Sequence, residues 1–317
     1  MEKIQNSPAT PHKFDQPMKS PLTCRERVEL EYTSQFIPYL KTLEKKIGHE
    51  QVIKSLQEYA FQGVNEFAEH IVEVAGKNDL SVIKEIYSPA NPNLRDTLTM
   101  EVIESTEETY IVNVTECLLA EIFRKAGAAD YGYASVCCDI LFTRLVNPEI
   151  GLDLEGTIME GEPSCMHRWY IKPLFEPATL ADWPRIEALL SSSKLPLDGL
   201  GDHLGTTLVA RIGEQIAGCA ALELYGDCAL LRSVAVEGSR QGQGLGRGLT
   251  TASLDLARKS GVRRVFLLTE TASEFFSRFG FNPIHRSDVP EAVKQSLEFI
   301  SACPVSALVM ALSLERT

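Results

Sequence analysis

The residues most able to do chemistry in this chain fall into two groups. The first is the run Gln241-Gly242-Gln243-Gly244-Leu245-Gly246. It stands between an apolar strand pattern and a helical one, so several backbone N–H groups can converge on one anion at the positive end of a helix dipole. Glycine suits such a loop because a Cβ would hold phosphate oxygens away from the amides or forbid the dihedrals required. A Walker loop would continue Gly-Lys-Ser/Thr, whereas Gly246 is followed here by Arg247-Gly248. A Rossmann fingerprint would open a βαβ unit, whereas the strands before this loop read as a meander. The pattern therefore predicts a diphosphate cradle of another kind, to which Arg247 can add charge.

The second group is made of thiols. Cys117, Cys137, Cys138 and Cys165 lie in one half of the chain with His167, and on a strand Cys165 and His167 share a face because side chains alternate with period two. No spacing makes a close Cys-x-x-Cys pair, so no metal site is predicted. The cysteines read as packing residues, as catalytic thiols or as ligands for a soft metalloid.

A chain of 317 residues with 44% hydrophobic content can bury two ordinary cores, and two domains are expected. The formal charge of -12 supplies no basic face for a polyanion. Nucleic acid is not expected as a partner. No stretch has the length of a membrane span or the pattern of a secretory leader, so the protein is expected in the cytoplasm with its eight cysteines reduced. Small molecules are the expected partners, no membrane is, and a homodimer is compatible with the composition.

These groups must be positioned by two sets of elements. Residues 1–22 carry Pro8, Pro11, Pro17 and Pro21 among polar residues and read as a disordered tail. Phe36, Leu40, Leu43 and Ile47 give a helical stripe, and a second helix spans about Val52 to Val74. Strands are expected at 97–103 and 109–114 around a turn at 105–108, a helix at 117–125 ending at Gly127, and strands at 152–159 and 165–171. Residues 23–172 thus read as an α+β domain.

Pro173 and Pro177 mark the boundary to a second domain, 173–317. There Asp182 or Thr179 can cap a helix carrying Trp183, Ile186, Leu189 and Leu190. Strands at 208–211, 216–225 and 229–236 turn at Gly213-Glu214 and Gly226-Asp227, which predicts an antiparallel meander. A helix follows the glycine loop, with Leu245, Leu249, Ala252 and Leu256 on one face. A buried strand at 265–269, a further helix and a final strand at 307–314 complete an α/β domain with a mixed, mostly antiparallel sheet.

Val234-Ala235-Val236 followed by Gln-x-x-Gly-x-Gly resembles the acetyl-coenzyme A motif of GNAT N-acetyltransferases, and Glu274 to Phe281 resembles the helix that closes their cofactor site. The likeness runs over 175–314. It is closest to arsenic-resistance N-acetyltransferases, through Leu230 to Val236, Phe275-Phe276-x-Arg278 and Ser301-Ala302-Cys303-Pro304-x-Ser306-Ala307, and extends toward the N-acetylglutamate synthases. It implies acetyl-coenzyme A as the cofactor, held at the diphosphate by Gln241, Gly242, Gln243, Gly244, Leu245, Gly246 and Arg247. The backbone of Val234, Ala235 and Val236 would pair with the pantetheine arm. Many of these enzymes place a tyrosine acid where this chain has Phe276. Acetyl transfer needs a base and some form of acid. Glu223 and Tyr225 end the neighbouring strand on one face, which makes them the expected base and auxiliary acid. Arg232 could clamp an acceptor carboxylate bidentately, which predicts an amino-acid-like acceptor, with an arsenic-containing glutamate analogue as one candidate.

In the first domain, Tyr110-x-Val112-x-Val114-Thr115-x-Cys117, Cys138-Asp139 and Met159-Glu160-Gly161-Glu162 leading to Cys165 resemble the L-2-amino-thiazoline-4-carboxylic acid hydrolase family. The resemblance implies opening of a cyclic amidine-like ring by water, with Cys117, Cys138, Asp139 and Cys165 at family-like positions. The family commonly follows its last cysteine with Asp-Phe-Arg, where this chain has Met166-His167-Arg168. The rival expectation is a thiol-lined module that binds a small molecule or a trivalent metalloid and regulates the acetyltransferase.

Overall fold

The structure is a computed structural model and describes residues 21–92, 94–302, 304 and 306–314. The tail expected at 1–22 lies outside the described residues except for Pro21 and Leu22, and so does Cys303. The chain divides into two compact units after Ile171.

In the first unit a capping box at Thr23 starts α1 (Cys24–Glu31), and a π turn leads into α2 (Ile37–Ile47). Gly48 then separates α2 from the long α3 (His49–Ala75), and α4 (Leu80–Ile86) is capped by the Asp79 carboxylate. β1 (Leu98–Ser105) and β2 (Thr109–Cys117) form the expected hairpin. The apolar stripe after Cys117 forms α5 (Leu118–Lys125). Two helices that the sequence pattern did not signal follow: α6 (Ala129–Val136) and α7 (Asp139–Val146). Each is too short to repeat a helical stripe more than twice.

β3 (Ile150–Glu155) and β4 (Cys165–Ile171) pair antiparallel, completing a sheet of order β1-β2-β4-β3. Residues 156–159 leave the strand expected there, and Ile158 to Glu160 form a helical turn. Along β2 and β4, Tyr110, Val112, Val114, His167 and Trp169 are buried by period-two alternation. That face packs on Ala68 of α3, on Val82 and Ile83 of α4, and on Phe142 of α7.

The second unit holds β5 (Leu174–Pro177), α8 (Trp183–Ser192), β6 (Thr207–Ile212), β7 (Gln215–Tyr225) and β8 (Cys228–Val236). Then come α9 (Leu245–Lys259), β9 (Arg264–Thr269), α10 (Ser273–Ser277), β10 (Asn282–Pro283), α11 (Glu291–Lys294) and β11 (Leu308–Ser313). Both candidate caps of α8 act together: Asp182 accepts from the Thr179 amide at 2.8 Å and from its hydroxyl at 2.9 Å. The strands form one sheet of order β10-β11-β9-β8-β7-β6-β5, antiparallel except for the β8–β9 pair.

β7 is buried from Ile216 to Glu223 because both of its faces are covered. Cys219 and Ala221 meet Ile186, Leu189 and Leu190 of α8. On the opposite face a Cβ on Gly218 would stand 2.9 Å from Leu249 of α9 and 2.8 Å from the Ala235 carbonyl. Gly248 of α9 is tighter still, since a Cβ there would sit 2.0 Å from the Phe175 ring on β5. Gly248→Ala is therefore expected to cost about 1–3 kcal/mol, the usual range for overpacking, read as a lower melting temperature. An unchanged melting temperature would mean that the Phe175 ring can swing clear.

Candidate functional site

The backbone around the glycine run is shaped by an irregularity in β8. Ser233 and Val234 together face Ala220, and Ser233 takes φ 55°, a left-handed conformation that serine rarely adopts. Such strain persists only where the surroundings over-determine it, and it concentrates at functional positions. The Arg232 Nε donates to the Ser233 hydroxyl at 3.3 Å and helps to hold it. Pairing between β8 and β9 ends before the bulge. The two strands pair from Cys228–Arg264 to Leu230–Phe266 and no further, so Ala235 and Val236 keep their β7 partners Cys219 and Gly218, and the backbone from Val234 to Val236 lacks a ladder on the β9 side.

The glycine run follows this segment. Gly242 has φ 80° and Gly244 φ 85°, and a Cβ at either would meet nothing within 4 Å. Their need is conformational, and the space before them is open. Gly244 is the N-cap of α9, where no side chain caps the helix and no acidic residue stands in the first turn. The first amides of a 15-residue helix thus point outward unclaimed. Gln241 donates to the Val236 carbonyl at 3.2 Å and Gln243 to the Ser239 carbonyl at 3.5 Å, which shapes the loop. Leu245 anchors it in the core, and Arg247 is exposed. Phe275 of α10 lies beside Gly246, 3.5 Å from where its Cβ would be, and the Phe276 ring is buried against Phe275 and Phe281. Phe276 thus packs where the sequence comparison looked for a hydroxyl. The donor set fits a diphosphate: unpaired amides at a helix N-terminus, with no Cβ in the way.

The expected catalytic residues are brought together, but in different roles from those the sequence suggested. Arg232 is 4% exposed and all of its N–H groups face protein acceptors. Nη1 reaches Glu223 Oε1 at 2.7 Å and the Asp198 carbonyl at 2.8 Å. Nη2 reaches Glu298 Oε1 at 2.8 Å and the Pro196 carbonyl at 3.2 Å. Nothing remains for a substrate carboxylate, so the clamp assigned to Arg232 is corrected to an internal brace.

Glu223 is 1% exposed. Burial alone would raise its carboxyl, yet hydrogen bonds from Ser296, Tyr225 and Arg232 hold it below the usual carboxylate range. A carboxylate so satisfied is a poor free base, and that assignment is corrected too. Tyr225 donates to Glu223 Oε2 at 2.6 Å, and burial together with that carboxylate pushes its phenol up to about 12. Sequence reasoning missed three members of this cluster. Ser296 and Glu298 come from the segment before β11, and His203 Nε2 stands 3.9 Å from Glu223 Oε1 with its side chain 28% exposed. No local pattern links these positions to β7.

The first unit gathers its predicted group at the N-terminus of α7. Cys117 caps α5, its sulfur accepting from the Ala120 amide at 3.4 Å. Cys138 precedes Asp139 at the start of α7, and Cys165 opens β4, its sulfur accepting from the Ile158 amide at 3.2 Å. Burial raises the thiols of Cys117, Cys138 and Cys165, and the Asp139 carboxylate raises each further. Asp139 receives the Tyr87 hydroxyl at 2.5 Å on Oδ1 and faces His167 Nε2 at 3.4 Å with Oδ2. Burial would raise this carboxyl, but the bonds from His167 and Tyr87 hold it low. His167 is 6% exposed, stacks on Trp169, and its Nδ1 has no hydrogen-bond partner among the described residues. An orphaned buried nitrogen is costly, by about 1–3 kcal/mol, and calls for an explanation. Among the described residues no group of three or more His, Cys, Asp and Glu side chains is placed to hold a metal ion. Nor is any described helix long and apolar enough to cross a membrane.

A bulged strand whose pairing with its parallel neighbour ends early, running through a glycine loop into an uncapped helix, gives the second unit the acyl-coenzyme A N-acyltransferase (GNAT) fold. The model of the acetyltransferase (GNAT) family matches residues 166–281, and that of the L-2-amino-thiazoline-4-carboxylic acid hydrolase family matches 28–169. An amino-acid acetyltransferase of Mycobacterium tuberculosis is 38% identical over 80 residues, 25% of this chain and 45% of that protein. The chain thus spans less than half the length of this relative. Among solved structures, Rv2747 from Mycobacterium tuberculosis in complex with CoA is 27% identical at a TM-score of 0.41, covering 45% of this chain and 100% of that one. The N-acetylglutamate synthase from Neisseria gonorrhoeae complexed with coenzyme A and N-acetyl-glutamate is 25% identical at a TM-score of 0.41, covering 45% and 35%.

Proposed function

We infer that the second unit transfers an acetyl group from acetyl-coenzyme A to the amino group of a small, amino-acid-like acceptor. The observation that carries this reading is the strained bulge at Ser233, which frees one edge of Val234 to Val236 immediately before the uncapped N-terminus of α9. Acetyl-coenzyme A supplies the activated thioester, and Gln241 to Arg247 hold its diphosphate. The acceptor class draws support from the likeness to an amino-acid acetyltransferase. An arsenical analogue of glutamate is the finer proposal, resting on the Leu230 to Val236 and Ser301 to Ala307 motifs.

The protein's own part in transfer is to take a proton from the acceptor ammonium. His203 is the group suited to it: an imidazole with solvent access whose Nε2 stands 3.9 Å from the buried Glu223 carboxylate. Glu223 and Arg232 brace that position, and Tyr225 stays protonated as a donor. His203→Gln is expected to lower kcat by about 10²-fold, the low end for a general base, with little change in acceptor KM. A screen of free amino acids and arsenical analogues by thiol release tests both acceptor and base. Acetylation confined to protein lysines would remove the acceptor assignment, and unchanged kinetics in the variant would remove His203.

For the first unit, hydrolysis of a cyclic amidine such as 2-aminothiazoline-4-carboxylate is favoured over a metalloid-binding role. The Asp139–His167 pair offers acid–base chemistry near the thiols, and among the described residues no group of three or more His, Cys, Asp and Glu side chains is placed to hold an ion. Ring opening followed with the purified chain tests this; bound arsenite without ring opening would reverse it.

A further inference from the structure

A cavity of about 360 Å³ opens between α3, α6 and α7 of the first unit, at the small end of the usual range for small-molecule sites, roughly 300–1,000 Å³. Small residues make room for it. Ala60 of α3 and Ala134 of α6 are both buried and both line it, and a one-carbon side chain on each helix leaves space that larger ones would fill. Around those alanines stand Phe61, Tyr133 and Ile140, which are 55%, 49% and 53% exposed. A large apolar side chain exposed singly is ordinary, but three that line one concave site mark a place where something apolar is received. Arg144 follows Ile140 by one helical turn of α7, so its stem extends the apolar wall while its charge stays in water. Arg144 has no ion pair or hydrogen bond among the described residues. It is also the one charged residue lining the cavity, because burial raises the thiols of Cys137 and Cys138 and keeps them neutral at pH 7. A second cavity of this unit, of about 290 Å³, differs in this respect: Arg25, Arg95 and Arg124 share its wall with Asp96, Glu116 and Glu121, and Arg25 already holds Glu121 at 2.6 Å.

We propose that the cavity between α3, α6 and α7 binds a small arylalkanoate, with its ring among Phe61, Tyr133 and Ile140 and its carboxylate on Arg144. The ring covers side chains that are half exposed, and the gain follows the apolar area taken from water. The carboxylate meets a guanidinium that gives up no protein partner to receive it, and the planar fork accepts two oxygens. A neutral ligand of the same shape forfeits that pairing, and a cation is repelled. Charge thus sets the ligand class, and the volume limits it to about one ring with a short arm. The proposal concerns binding alone and stands apart from the hydrolytic reading, since binding is measured without turnover.

Calorimetric titration of the full-length protein with phenylpropionate, and with its neutral isostere phenylpropanamide, tests this. The carboxylate should bind at least about tenfold more tightly than the amide. Arg144→Met keeps an apolar stem and should bring the carboxylate to the amide's affinity while leaving the amide unchanged. Ile140→Glu alters an exposed position, where folding is little affected, and places a carboxylate one turn before Arg144 that pairs with it in the ligand's stead. It should remove the preference for the carboxylate as well. Cys137 lines the cavity and Cys24, at the start of α1, does not. Saturating phenylpropionate should therefore slow labelling of Cys137 by N-ethylmaleimide at least about fivefold, read by peptide mass spectrometry, and leave Cys24 unchanged, because a bound ligand covers the wall it touches. Equal affinity of the wild type for acid and amide overturns the proposal, as does wild-type affinity for the acid in Arg144→Met. Binding that leaves Cys137 labelling unchanged places the ligand elsewhere and overturns it too. No binding of the acid by the wild type has the same consequence; a dimer in light scattering that Phe61→Ser dissolves then assigns the apolar patch to contact between two copies of the chain.

Discussion

Gly244→Asp should abolish measurable acetyl-coenzyme A binding while leaving the protein folded. Aspartate is among the residues that best tolerate positive φ, and a Cβ at Gly244 meets nothing within 4 Å, so the 85° φ is not a barrier to folding. Its carboxylate, however, would sit at the positive end of α9, claiming the amides a diphosphate needs and repelling its charge. Loss of two charge-assisted hydrogen bonds at about 1.5–3 kcal/mol each corresponds to a 10²- to 10⁴-fold weaker complex. Calorimetric titration of the full-length protein is the measurement, with Gly244→Ala as the partner variant. Alanine adds strain without charge, about 1–2 kcal/mol, and should weaken binding by at most about five- to thirtyfold. Equal losses in the two variants would place the effect in the backbone, and wild-type affinity in the aspartate variant would move the diphosphate elsewhere.

The second large effect is expected from Arg232. Removing the guanidinium that lies between Glu223 and Glu298, as in Arg232→Met, takes a charge partner from two carboxylates that are 1% and 5% exposed, and breaking a buried pair in this way costs about 3–5 kcal/mol. The sign with pH is distinctive. In the wild type the folded-state value of Glu223 is depressed, so its contribution to stability is present above the unfolded carboxylate range near 4.3 and is lost as pH falls through the lower folded value. Without the arginine the same carboxyl is raised by burial, and protonation favours the folded variant. The gap in melting temperature between the two proteins should be widest at pH 7–8 and close as pH falls toward 4. A gap that does not change with pH would mean that Arg232 acts through packing alone.

Much of the second unit was legible because its chemistry is local. The turns at Gly213-Glu214 and Gly226-Asp227 delimit β6 to β8, the glycine run dictates positive φ at Gly242 and Gly244, and the stripe from Trp183 to Leu190 makes α8. Tyr225 and Glu223 meet as alternation requires. The charge state and availability of those residues were not legible. Glu298 and Ser296 reach the site from more than sixty positions along the chain, and only their arrival turns Arg232 from a clamp into a brace.

In the first unit the long helices announced themselves, while α6 and α7 did not, since eight residues offer too little periodicity to separate helix from loop. That gap matters because α7 begins with Asp139. Alternation on β4 placed Cys165 and His167 on one face, but it could not say that a carboxylate from a short, unannounced helix would fix one imidazole nitrogen and leave the other bare. Sequence by itself determined which backbone could cradle an anion and which side chains shared a strand face, because dihedral preference and side-chain alternation act over a few residues. Tertiary structure decided which groups are free, paired or titratable, because desolvation and Coulomb interaction depend on neighbours that the chain brings together only when it closes on itself.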